Sequence, residues 1–74
     1  MNNALDIQRG ILADTIRKLR VSGQLTQREL ACLAGVTQED IDKIEHGMPL
    51  QLGTKLKILR ILYANRLLPS EQLG

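Results

Sequence analysis

Aromatic side chains are almost absent from this chain of 74 residues. It has no phenylalanine and no tryptophan, and Tyr63 is its single aromatic residue. Proteins that bind RNA or single-stranded DNA commonly stack the bases on aromatic rings. The sequence therefore disfavours that class of binding, and it predicts a core built from its 14 leucines and 7 isoleucines.

Cysteine and long apolar runs are equally scarce. The single Cys32 has no partner for an internal disulfide, which favours a reducing, cytoplasmic setting. No stretch without a charge is longer than Leu30–Gln38, whereas a membrane span needs about 20 apolar residues. The first residues also lack the basic-then-apolar pattern of a secretory leader. We therefore expect no membrane association.

The usual components of metal and catalytic sites are missing as well. Cys32 and His46 are too few to complete the ligand set of a zinc site. A solitary histidine near a helix end is usually solvated, and a lone thiol among apolar neighbours is usually inert. No glycine-rich phosphate loop is present. We expect no enzymatic activity, no metal and no cofactor.

The net charge of +2 at pH 7 is unevenly distributed along the chain. Residues 36–47 hold four acids and one lysine, while residues 48–74 hold four basic residues and one acid. An acidic segment repels DNA, so residues 36–47 favour a protein partner over DNA, whereas basic residues on the later segment could bind phosphates. Ordinary scatter of charge over a solvated surface explains the same distribution without any partner.

Glycine and proline divide a purely helical pattern, and no run alternates with the period of a strand. We predict a single all-α domain over residues 1–74. Its helices are expected at about 5–21, 26–34, 37–46 and 52–64, with a short additional turn near 70–73.

Local signals predict where these helices begin and end. Thr26 with Glu29, and Thr37 with Asp40, have the spacing of a capping box, in which each side chain bonds the backbone N–H of the other residue. Gly23 is expected to end the first helix in the left-handed conformation. The second and third helices should therefore be short and sharply bounded.

The third helix has a buried and an exposed face, which follow from a rotation of about 100° per residue. Ile41 and Ile44 set the buried direction. Glu45 falls close to that direction, although it is charged. The side chains that point outward are those of Glu39, Asp42, Lys43 and His46.

One set of residues matches a known family in both type and spacing. The set comprises Ile16, Leu19, Arg20, Gly23, Leu25, Thr26, Gln27, Leu30, Ala31, Ala34, Gly35, Val36, Thr37, Ile41, Ile44, Glu45 and Gly47. Over about residues 12–62 the chain resembles the phage Cro/repressor-type helix-turn-helix, known as the XRE family. The resemblance implies a compact, lambda-repressor-like bundle of four or five short helices, which binds double-stranded DNA as a homodimer.

The resemblance also implies roles for individual side chains. The residues at base-contacting positions lie on the third helix: Gln38, Glu39 and Lys43. The residues expected near phosphates are polar or basic: Gln27, Arg28, His46, Lys55 and Lys57. Arg20 and Glu45 match positions that form a buried ion pair in some members, which agrees with the inward direction of Glu45.

The C-terminal half has more apolar residues than a small core needs. We assign the surplus to a homodimer surface formed by Ile58, Ile61, Tyr63, Leu67 and Leu68. A fourth helix that is buried on all sides would explain the same pattern without a partner.

Two functions remain open at this point. The first is a dimeric transcriptional regulator, typically a repressor, which inserts its third helix into the major groove and acts by occupying an operator. The second is a protein-interaction module whose acidic third helix binds a partner instead of DNA. Antitoxins lie between the two, because the family resemblance includes members that bind a toxin and their own promoter.

Overall fold

The computed structural model describes the backbone of residues 4–66 and the side-chain surroundings of residues 9–64. Within this range the chain forms four α-helices and no strand: α1 Ala4–Ser22, α2 Gln27–Ala34, α3 Gln38–Glu45 and α4 Leu52–Arg66. The prediction of an all-α bundle is confirmed, and each observed helix overlaps a predicted one. The turn predicted near 70–73 lies outside the described residues.

Each helix contributes one completely buried side chain to a common core. These are Ile16 of α1, Leu30 of α2, Ile41 of α3 and Ile58 of α4. Burial of such a side chain contributes roughly 1.5–3 kcal/mol of hydrophobic free energy. The four helices are therefore held by one shared aliphatic cluster, as the composition predicts.

The helix N-termini confirm both capping boxes. The hydroxyl of Thr26 accepts from the backbone N–H of Glu29 at 3.0 Å, and the Glu29 carboxylate accepts from the Thr26 N–H at 2.8 Å. Thr37 and Asp40 repeat the arrangement at 3.0 and 3.2 Å. Asp40 therefore caps the N-terminus of α3. This structural role explains one of the four acids in residues 36–47.

The first three helices end in the same way, with a left-handed residue after the last turn. The residues are Gln24, Gly35 and Gly47, with φ of 60°, 72° and 72°. In each case the next backbone N–H donates to a carbonyl five residues back, as Leu25 does to Arg20 at 3.0 Å. The assignment of this role to Gly23 is wrong, because the chain turns one residue later.

Helix α4 buries in the core one of the residues expected on a dimer surface. Ile58 and Leu62 are one turn apart and both lie in the core, where Ile58 is fully buried. The assignment of Ile58 to a dimer surface is therefore corrected. Ile61 is partly buried against the core, while Tyr63 is exposed. Leu67 and Leu68 lie outside the described residues.

Helix α4 also carries apolar side chains that the core does not cover. Leu52 is 70% exposed, Leu56 53% and Tyr63 46%. Their spacing places them along one side of the helix, away from the buried Ile58 and Leu62. Across residues 4–66, no helix combines the length and low polarity that crossing a membrane requires.

Candidate nucleic-acid interface

Helices α2 and α3 are joined by a turn of three residues, Gly35 to Thr37. Gly35 ends α2 in the left-handed conformation, with φ 72° and ψ 34°, which costs glycine little. Val36 packs against the core, and Thr37 caps α3. The turn is therefore fixed at each of its residues, and it sets the direction of α3 relative to α2.

The end of α3 is tied to α1 by a buried ion pair. The guanidinium of Arg20 donates from Nε to Glu45 Oε2 at 2.5 Å and from Nη2 to Oε1 at 3.1 Å. The Glu45 side chain is 4% exposed and that of Arg20 is 15% exposed. The structure thus brings together the two residues expected to pair, and it places Glu45 on the inward face.

Two further hydrogen bonds extend this ion pair to α2 and its preceding loop. Gln27 Nε2 donates to Glu45 Oε1 at 3.2 Å, and Arg20 Nη1 donates to the Leu25 carbonyl at 2.9 Å. Among the described residues, no buried side-chain nitrogen or oxygen lacks a partner. Because the charges are paired and fully bonded, the network positions α3 firmly against α1 and α2.

The outward face of α3 has a different character. Its exposed side chains are those of Gln38, Glu39, Asp42 and His46, with Lys43 partly exposed beside them. Glu39 and Lys43 are an i,i+4 ion pair, with Oε2 3.6 Å from Nζ. All three residues expected at bases, Gln38, Glu39 and Lys43, are therefore at least partly exposed on α3, and Glu39 and Lys43 lie side by side.

Asp42 and His46 form a second pair at the same spacing. His46 Nδ1 lies 2.7 Å from the Asp42 carbonyl oxygen and 3.4 Å from its carboxylate oxygen Oδ1. A neutral ring that carries its proton on Nδ1 donates to the carbonyl, which holds the imidazole at the end of the helix. Protonation of the ring would add an attraction to the carboxylate.

These two pairs were not predicted from the sequence, although the spacing of the residues indicates them. An acid followed by a base at i+4 is the favourable order along a helix, worth about 0.2–0.5 kcal/mol for an exposed pair. Both exposed acids, Glu39 and Asp42, are followed by such a partner. The acidity of the segment is thus partly compensated within the helix itself.

The residues expected near phosphates lie on α2, on α4 and just after the end of α3. Gln27 lies beside α3 with one amide hydrogen committed to Glu45. Arg28 is exposed on the first turn of α2, and His46 is exposed just after α3. Lys55 and Lys57 lie on α4, beyond the loop of residues 46–51. The structure therefore places Gln27 against the inner face of α3, His46 on the exposed side at the end of α3, and the two lysines on a separate helix.

The described residues include no group of three or more His, Cys, Asp or Glu side chains that could hold a metal ion.

Cys32 is an exposed free thiol on α2. The exposed groups of α3 and of the residue that follows it are amide, carboxylate, ammonium and imidazole groups, which can form hydrogen bonds and ion pairs. No protein-family model matches this chain, and a comparison with curated protein sequences finds no significant match.

Proposed function

We propose that this protein is a sequence-specific DNA-binding regulator of transcription, which inserts α3 into the major groove of a duplex. The observation that carries the proposal is the contrast between the two faces of α3. Its inner face is locked through Glu45 to Arg20 and Gln27, and its outer face presents only polar side chains. The major groove of B-DNA admits an α-helix, and its base edges are read by such donors and acceptors.

Within this proposal the side chains divide into two groups. Gln38, Glu39 and Lys43 contact base edges, because all three are at least partly exposed on α3 and two of them, Glu39 and Lys43, lie one turn apart on the same side. The second group sets the position on the duplex through phosphates and consists of Gln27, Arg28, His46, Lys55 and Lys57. The mechanism is occupancy of an operator, and it requires no catalysis, metal or cofactor.

A homodimer is part of the same proposal. The outward side of α4 exposes Leu52, Leu56 and Tyr63, which are large apolar groups in a small protein. A second copy that packs there would cover them and place two α3 helices on one duplex, as palindromic operators require. This surface replaces the one that included Ile58.

The second candidate is a protein-interaction module, which the exposure of the acids favours. The Glu39 side chain is 76% exposed and that of Asp42 57%, on the helix that would have to approach phosphates. These carboxylates would attract the basic side chains of a protein partner, such as the toxin of an antitoxin-like pair, through electrostatic complementarity.

An electrophoretic mobility shift with the DNA upstream of the protein's own gene tests the proposal. Wild type is expected to shift this duplex at low salt, and Lys43→Ala to weaken the shift. Arg17→Ala is the matched control, since Arg17 is also a cation in an exposed helical ion pair, with Asp14, but lies on α1.

The interaction module replaces DNA binding under one combination of results. In that combination, neither wild type nor Asp42→Asn would shift any duplex at low salt. A protein would co-purify with wild type, and it would be lost when Glu39 and Asp42 are both changed to lysine.

A further inference from the structure

We infer that Glu39 and Lys43 act as one unit that reads a single C·G base pair. The inference rests on the proposed function and narrows it, since it assigns a base pair to two named side chains. Its starting point is the spacing of an acceptor and a donor on the outer face of α3.

The positions of the two residues, one turn apart on α3, set that spacing. Glu39 Oε2 and Lys43 Nζ are 3.6 Å apart, and both side chains project from the same side of the helix. The Glu39 side chain is 76% exposed and the Lys43 side chain 39%. A ligand that approaches α3 thus meets a carboxylate and an ammonium side by side, held one helical turn apart at the backbone.

A C·G pair offers the complementary groups in the major groove. Cytosine presents the N4 amino donor, and guanine presents the acceptors O6 and N7. N4 and O6 bond each other in the base pair, so they are about 2.9 Å apart. The Glu39 carboxylate can accept from N4 while the Lys43 ammonium donates to O6 and N7. Two side chains thereby contact both bases of one pair.

An A·T pair fits the same unit less well. Its donor, adenine N6, is flanked by adenine N7 on one side and thymine O4 on the other, and the thymine methyl group follows O4. With Glu39 on N6, Lys43 could reach one acceptor at a time, either N7 on one side or O4 beside the methyl group on the other. Guanine instead offers two adjacent acceptors, so C·G is the preferred pair.

Charge also distinguishes Glu39 from the other exposed acid on this face. The partner of Glu39 is a lysine, so the unit is neutral and phosphates repel it little. The partner of Asp42 is His46, which is charged only when protonated. We therefore assign Glu39 to base recognition and leave Asp42 as a source of repulsion without a base partner.

Selection from a library of randomised duplexes, followed by sequencing, tests this inference. Wild type should enrich a motif with one C·G position. Glu39→Gln and Lys43→Met should each reduce the preference at that same position by about tenfold, with Glu39→Gln moving it towards adenine, which glutamine reads. Asp42→Asn, the matched change of an exposed acid on α3, should enrich the wild-type motif.

Any of three outcomes would overturn the inference. Glu39→Gln and Lys43→Met could alter different positions of the motif, they could both alter a position that is A·T, or they could both leave the motif unchanged. In these cases duplex binding itself stands. Enrichment of no duplex by wild type, while circular dichroism shows a folded helical protein, overturns the proposed function and this inference with it.

Discussion

Arg20 and Glu45 are 25 residues apart in the chain, yet two hydrogen bonds of 2.5 and 3.1 Å join their side chains. The bonds connect α1 to the last residue of α3. Glu45 follows the fully buried Ile41 by one helical turn, so its carboxylate points inward, whereas the side chains of Asp42 and Lys43 point outward. The ion pair thus fixes which side of α3 is presented to a partner.

Removal of one partner from this pair should destabilise the protein strongly. Arg20→Met alone, and Glu45→Gln alone, should each lower the free energy of unfolding by about 3–5 kcal/mol, because the remaining charge is left buried without its counterion. The double variant should lose much less than the sum of the two. Denaturant melts of the four proteins measure this, and strictly additive losses would contradict the coupling.

The left-handed residue at the end of α1 offers a stabilising change. Gln24 has φ of 60°, a conformation that costs an L-residue about 1 kcal/mol and glycine almost nothing. Gln24→Gly should therefore raise the free energy of unfolding by about 1 kcal/mol. Gly35→Ala is the mirror control: an added Cβ meets no atom within 4 Å, so its expected loss of similar size reports backbone strain alone.

Self-association should depend on the exposed apolar side of α4. Leu56→Asp should yield a monomer that is still helical, because Leu56 is 53% exposed and its replacement does not disturb the core. Leu33→Asp changes a leucine on α2 that is 57% exposed, and it should leave the dimer intact. Analytical ultracentrifugation makes the comparison. Wild type that sediments as a monomer at high micromolar concentration would exclude this dimer.

Lowering the pH should remove a small contribution of Asp14 to the stability of the fold. A hydrogen bond from Lys18 at 2.9 Å lowers the pKa of Asp14 below its usual value, and Arg17 adds to the effect. A carboxyl whose folded-state pKa is lowered stabilises the fold above its unfolded pKa, and the stabilisation is lost as pH falls through the folded pKa.

Asp14→Asn should therefore be slightly less stable than wild type at neutral pH. The difference should vanish below the folded-state pKa of Asp14. Urea melts at pH 7 and at a series of decreasing pH values compare the two proteins, and a stability difference that does not shrink as pH falls would refute the assignment.

Local signals in the sequence predict the helix starts well. Thr26 with Glu29, and Thr37 with Asp40, form the expected capping boxes because only residues within one turn are involved. The inward direction of Glu45 follows from helical rotation for the same reason. Such features depend on a few consecutive residues, so the sequence alone suffices to find them.

Features set by packing between helices are predicted less well. Ile58 looks surplus in the sequence, since α4 has apolar residues on several sides, and only contact with Ile16, Leu30 and Ile41 determines which side is buried. Gly23 is the obvious left-handed residue, yet the register of the loop places Gln24 there. Neither choice follows from a local pattern.

The central claim is that the outer face of α3 meets the major groove. Fluorescence anisotropy with a labelled duplex from upstream of the gene, titrated with wild type and with Asp42→Asn at several salt concentrations, tests it most directly. Asp42→Asn should bind every duplex more tightly, without any change in sequence preference, because it relieves repulsion from phosphates. The gain should shrink as salt screens that repulsion. Equal binding by the two proteins at low salt, or no binding by either, would contradict the claim.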